Sequence, residues 1–114
     1  VFFYLAYLST TLANTPGHKI KVHIEGVKDT ICHLAGYYGP KLYYKDTVRV
    51  DGNGNFAFEG SDTLMGGIYA VVVPGNKYFE FIVNEQFFSI ESSMDDLSGK
   101  LKFKDSKENE VFYK

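Results

Sequence analysis

Lys45-Asp46-Thr47-Val48-Arg49-Val50-Asp51-Gly52-Asn53-Gly54-Asn55-Phe56-Ala57-Phe58-Glu59-Gly60 reads as strand, turn and strand. Val48 and Val50 before the turn, and Phe56 and Phe58 after it, alternate with smaller or polar residues. That period of two belongs to a pleated strand with one buried face. Asp51 to Asn55 is built from Asp, Gly and Asn, which tolerate positive φ, so a tight hairpin turn is expected there.

The same grammar extends in both directions. Ile20, Val22 and Ile24 face one way, while Lys19, Lys21, His23 and Glu25 face the other. Gly26 ends that strand and Lys28-Asp29 turns the chain. Ile31 to Tyr38 is a second strand, punctuated by Gly39-Pro40, and Leu42 to Val50 a third. Gly66-Gly67 opens a continuous apolar strand from Ile68 to Val73, closed by Pro74-Gly75. Tyr78 to Val83 and Phe87 to Glu91 follow, and Leu101 with Phe103 marks a last short strand. About eight short strands with turn signals between them predict an all-β fold, an antiparallel β-sandwich. From Asp105 the character changes: Ser106, with Asn109 or Glu110 nearby, starts a helix whose first apolar turn is Val111, Phe112 and Tyr113. The expected division is a sandwich over 14–104 and a linker or helix start over 105–114, leading into a further domain.

The chain has 114 residues, which suits one domain. Ten Phe and nine Tyr without any Trp favour half-buried pleated surfaces. The net charge is −2, and Lys and Arg are not clustered. Phosphate neutralisation needs such clusters, so nucleic acid is not an expected partner. A single cysteine, Cys32, excludes an internal disulfide and a CxxC redox pair.

Residues 1–17 are uncharged, and Phe2 to Leu8 form a short apolar run. Thr11 and Ala13 occupy the small-residue positions that a signal peptidase needs, so residues 1–13 read as the remnant of a signal peptide cleaved after Ala13. The run is shorter than the roughly 20 residues a bilayer span takes, and no span is expected in the mature chain. The expected location is the periplasm or cell envelope.

The stretch from Lys45 to Gly60, Gly67-Ile68-Tyr69 with the apolar strand after it, and Phe79-Glu80-Phe81-Ile82-Val83 together resemble a domain of unknown function. That domain stands at the N-terminus of periplasmic thiol–disulfide interchange proteins of certain Gram-negative bacteria, ahead of a thioredoxin-like domain of the peroxiredoxin/TlpA type. The resemblance spans roughly residues 18 to 113, with Asn55-Phe56-x-Phe58-x-Gly60 as its most specific part. It implies an accessory role beside a downstream thioredoxin-like domain of the same polypeptide, or in a homodimer. It carries no activity onto any residue here, because the redox pair of that family's catalytic domain is absent from this chain.

Candidate sites were weighed against ordinary structural roles. Asp51, Asn53, Asn55 and Asp62 match four positions of a calcium loop, but Phe56 replaces the required Gly, and a hairpin explains each residue. His18, His23 and His33 read as surface histidines without ligand spacing, and adjacent Cys32 and His33 point to opposite faces of a strand. Cys32 shares its parity with Leu34 and is expected to be a small buried hydrophobe. Tyr37, Tyr38, Tyr43 and Tyr44 cluster around Gly39-Pro40. In each adjacent pair one ring should face the core and one should face out, by cross-strand pairing or as an interaction surface. Asp29-Thr30-Ile31, Asp46-Thr47-Val48 and Asp62-Thr63-Leu64 resemble a bacterial O-glycosylation acceptor motif, which makes Thr30, Thr47 and Thr63 candidates. Turn-then-strand grammar produces the same triplets. No nucleophile or acid/base constellation is visible, so the reading is a non-enzymatic module without catalytic residues, cofactor or metal. A free-standing carbohydrate- or surface-binding module using the tyrosine cluster is the alternative.

Overall fold

The computed structural model describes residues 17–112, except for the side chains of Tyr38 and Phe112. The expected signal segment, residues 1–13, lies outside the described residues. Eight strands form, β1 His18–Glu25, β2 Ile31–Tyr38, β3 Lys41–Arg49, β4 Asn55–Gly60, β5 Gly67–Val73, β6 Lys77–Val83, β7 Phe87–Ser93 and β8 Lys102–Lys104. Helix α1, Lys107–Phe112, follows them. The strands make two four-stranded sheets, ordered β4-β1-β7-β8 and β3-β2-β5-β6. The all-β sandwich read from alternation is therefore the fold.

Two pairings differ from expectation. β1 and β7 run parallel, with Ile20 beside Phe88 and Val22 beside Ile90, so the first sheet is mixed. Alternation identifies which face of a strand is buried, but it does not identify the neighbour. The Asp51–Asn55 turn is also not a hairpin, because β3 belongs to the second sheet and β4 to the first. The turn is a corner hydrogen-bonded to the β1–β2 turn and to β1. The Asp29 amide donates to the Asp51 carbonyl on one side, and the Ile24 amide donates to the Gly54 carbonyl on the other. That second bond delivers β4 antiparallel to β1, with Val22 opposite Phe56 and Ile20 opposite Phe58. Gly54 has φ of 81°, and an added Cβ would lie 2.4 Å from the Ile24 carbonyl oxygen, so only glycine fits here.

The inner faces of both sheets supply one core. Ile20, Ile24, Phe58 and Ile90 come from the first sheet and Leu34 and Phe81 from the second, all essentially without solvent exposure. The Phe81 and Phe88 rings meet edge to face across the layer, 5.9 Å between centroids. Each such side chain contributes about 1.5–3 kcal/mol through burial.

Two side-chain amides each satisfy both backbone groups of one residue, one at a strand edge and one in a loop. Asn109 of α1 accepts from the Ile82 amide at 2.7 Å and donates to the Ile82 carbonyl at 2.6 Å, closing part of the β6 edge. Gln86 treats Leu64 in the same way, at 2.7 and 3.1 Å. Asn109 is fully buried and also donates to the Ser106 hydroxyl. Glu110 reaches back to accept from the Ser106 amide, a first-turn cap. The inward side of α1 is thus Asn109, and Val111, expected in its apolar turn, is 73% exposed. Backbone groups at the sheet edge need partners more than the core needs another valine.

Candidate functional site

The outward faces of the two sheets differ, and the difference locates the candidate site. On the first sheet the outward rows carry Lys19, Lys21, His23 and Glu25 from β1, Glu59 from β4, Glu91 from β7, and Lys102 and Lys104 from β8. Lys19 and Glu59 pair at 3.9 Å. Phe87 is an apolar exception in these rows.

On the second sheet the outward rows carry Ile31, Tyr37, Leu42, Tyr44, Ile68 and Tyr78, each at least 37% exposed. Beneath them, Ala35, Ala70 and Val72 form a small buried cluster separate from the core. The rings above are held in place. Tyr37 donates its hydroxyl to Glu80, reaching from β2 across β5 to β6. That hydrogen bond raises the pKa of the Tyr37 phenol. His33 and Tyr44 stack with centroids 4.3 Å apart and planes 13° from parallel. The His33 Nδ1 also shares a hydrogen bond with the Thr47 hydroxyl at 2.8 Å. A flat aromatic face fixed by its own contacts loses little entropy when a partner covers it.

The tyrosine cluster departs from its expected arrangement. Tyr43 and Tyr44 are adjacent, yet both are exposed. A β-bulge decides which of the two faces outward: Asp46 opposes Leu34 and Tyr44 opposes Ala35, leaving Lys45 as the extra residue of β3. Tyr44 joins the outward face. Tyr43, opposite Gly36, points to the inner side, but near the Gly39-Pro40 turn, where it remains open to solvent. The side chain of Tyr38 lies outside the described residues. Instead of one patch, the cluster supplies an outward face and, around the strand end, a cleft.

The cleft measures about 330 Å³ and lies between the β2–β3 end and the 62–67 loop. Lys45 Nζ donates to Asp62 Oδ2 at 3.3 Å along it. That hydrogen bond holds the Asp62 carboxyl below its ordinary range. Tyr69 lines the inner wall and donates its hydroxyl to the Met65 carbonyl at 2.8 Å. Burial pushes its phenol pKa up.

The remaining candidates fall into structural roles. His18 is not a surface residue. It is 3% exposed, on the same parity as Ile20, and donates Nδ1 to the Asp62 carbonyl at 2.7 Å. The 61–62 segment folds over the end of β1, a tertiary closure that strand parity could have flagged. His23 donates to the Asn55 side chain at 2.9 Å on the polar face. Cys32 faces the core beside Leu34, and burial pushes its thiol up to about 11. Asp51 accepts from the Asn53 and Asn55 amides at 2.8 and 2.9 Å, so its carboxylate organises the corner. Asp62 lies past the opposite end of β4, and the calcium-loop residues are not brought together. Among the described residues no group of three His, Cys, Asp or Glu is placed to hold a metal ion. Thr47 and Thr63 are exposed, while Thr30 is half-buried. No described helix is long and apolar enough to cross a membrane.

Residues 18–112 match the family described as a domain of unknown function, DUF4369, and the chain belongs to that family. Comparison with curated proteins and with solved structures returned no match.

Proposed function

We propose that this is a non-catalytic accessory domain of an exported thiol–disulfide oxidoreductase, positioning or dimerising a thioredoxin-like domain of the same polypeptide. The observation that supports it is the outward face of the second sheet. It presents Ile31, Tyr37, Leu42, Tyr44, Ile68 and Tyr78 together, with Arg49 and Glu80 as the charges in the same rows. Contiguous exposed apolar surface marks a place that another surface covers. The family resemblance, together with the uncharged segment before Ala13, supports a periplasmic setting and a thioredoxin-like partner.

The test is the reading frame beyond Lys114. A thioredoxin-like segment containing CxxC, joined within one polypeptide, is the expected result, and a stop codon directly after Lys114 ends the proposal. If the segment is present, the 114-residue chain titrated with the isolated thioredoxin-like segment should shift the amide signals of Tyr44, Ile68 and Tyr78. Fractionation of cells should place the protein in the periplasm with a mature N-terminus at Asn14.

A second reading, a carbohydrate- or surface-binding module, draws on a different observation. Tyr43 stands apart from the outward face and lines a cleft with a polar wall. Aromatic platforms flanked by hydrogen-bonding groups suit sugars as well as proteins.

A further inference from the structure

The β3 bulge, the Lys45–Asp62 pair and Tyr43 meet at the cleft, beside Tyr37 and Ile68 at the end of the outward face. Lys45 is itself the extra residue of β3, without an opposite number on β2, so the regular ladder does not set its direction. Bulges commonly re-aim a side chain beside a functional site. Here Lys45 is aimed at Asp62 in the loop that borders the cleft. Two further features shape the space. Gly36 faces inward opposite Tyr43 without a side chain, and the Tyr69 ring packs into that gap, 3.2 Å from where a Cβ would be, to form the inner wall. The far rim is the backbone of Gly66 and Gly67, which a ligand can approach closely.

We propose that this cleft is a binding subsite for a single neutral pyranose ring, the terminal sugar of a glycan. This rests on the second reading above and assigns it a place. The chemistry selects the class. Tyr43 offers an aromatic ring to the C–H face of a sugar. Lys45 offers donors and Asp62 offers acceptors at one edge, where vicinal hydroxyls need both. The two charges cancel, so an anionic or cationic ligand gains no net field and must break the pair to use either charge. The volume, about 330 Å³, sits at the lower end of the roughly 300–1,000 Å³ range of ligand sites, which admits one ring and not a chain.

The experiment uses the 114-residue chain and a panel of glucose, galactose, mannose and N-acetylglucosamine, each titrated into the millimolar range and followed by amide chemical shifts. The expected result is saturable shifts at Tyr43, Gly66 and Gly67 with at least one sugar. Tyr43→Ala should weaken that binding roughly five- to tenfold, the scale of one lost aromatic contact. Lys45→Met should weaken it too, while Lys21→Ala, on the polar face of the first sheet, leaves it unchanged. Saturable shifts that survive Tyr43→Ala and map to His33 and Tyr44 overturn the cleft and leave a sugar-binding module standing. Absence of shifts with every sugar overturns both.

Discussion

The two sheets share one core and the same strand grammar, yet their outward faces differ in chemistry. The first presents lysines, glutamates and His23, with Lys19 and Glu59 paired. The second presents tyrosines and aliphatics, tied down by the Tyr37–Glu80 hydrogen bond and the His33–Tyr44 stack. Burial of the inner faces does not require this asymmetry, because either sheet could be wet outside. The contrast separates what the fold needs, an alternating inner row, from an outer row that the fold leaves free to be polar or apolar.

Substitutions can break the contrast or sharpen it. Phe58→Ala, inside the shared core, sets the scale: about 3–5 kcal/mol of lost stability in denaturant unfolding, since it leaves a cavity beneath both faces. Next comes Asn109→Ala, which strips both backbone partners from Ile82 and should cost about 1–3 kcal/mol. Amide exchange at Ile82 should accelerate in that variant before exchange at Val71 does. A loss confined to helix signals, with Ile82 still protected, would show that the β6 edge does not depend on Asn109.

Smaller effects should distinguish the faces themselves. Ile68→Lys on the second sheet should change stability by no more than about 0.5 kcal/mol, as exposed positions do. It should nevertheless abolish the amide shifts of Tyr44 and Tyr78 that the proposal expects from a thioredoxin-like segment. Lys21→Ala on the first sheet should leave both stability and those shifts unchanged. Equal sensitivity of the two faces would remove the functional meaning of the contrast.

The smallest effect is on pH dependence. Asp51 is held below the ordinary value of 3.8 by the Asn55 and Asn53 amides, and Asp62 by Lys45. A carboxyl lowered in the folded state stabilises above its unfolded value, and that stabilisation is lost as pH falls through the folded one. Tm should therefore hold down to about that value and decline below it. Asp51→Asn should lower Tm at neutral pH and flatten the acid decline, because Asn cannot ionise.

Much of the fold was legible in the residues. The alternation of Ile20, Val22 and Ile24, and of Phe56 and Phe58, marks inner faces that the core uses, and Cys32 follows Leu34 inward. Turn residues marked the strand ends, Gly54 most firmly, since its positive φ and its approach to Ile24 leave no alternative. The candidate site was legible only as a cluster of tyrosines. One extra residue in β3 sends Tyr44 to the outward face and leaves Tyr43 at the cleft, and no local signal announces a bulge. His18 shares the inward parity of Ile20, but the segment that covers it is distant in sequence.

The sequence by itself determined which side of β1 and of β4 is buried and where the chain turns, because side-chain period and backbone φ preference are local properties. Tertiary structure alone decided that β1 lies parallel to β7, that the Asp51–Asn55 turn is a corner between sheets, and that Lys45 meets Asp62. Those outcomes depend on which strands find each other, and pairing between distant segments is set by packing the whole core at once.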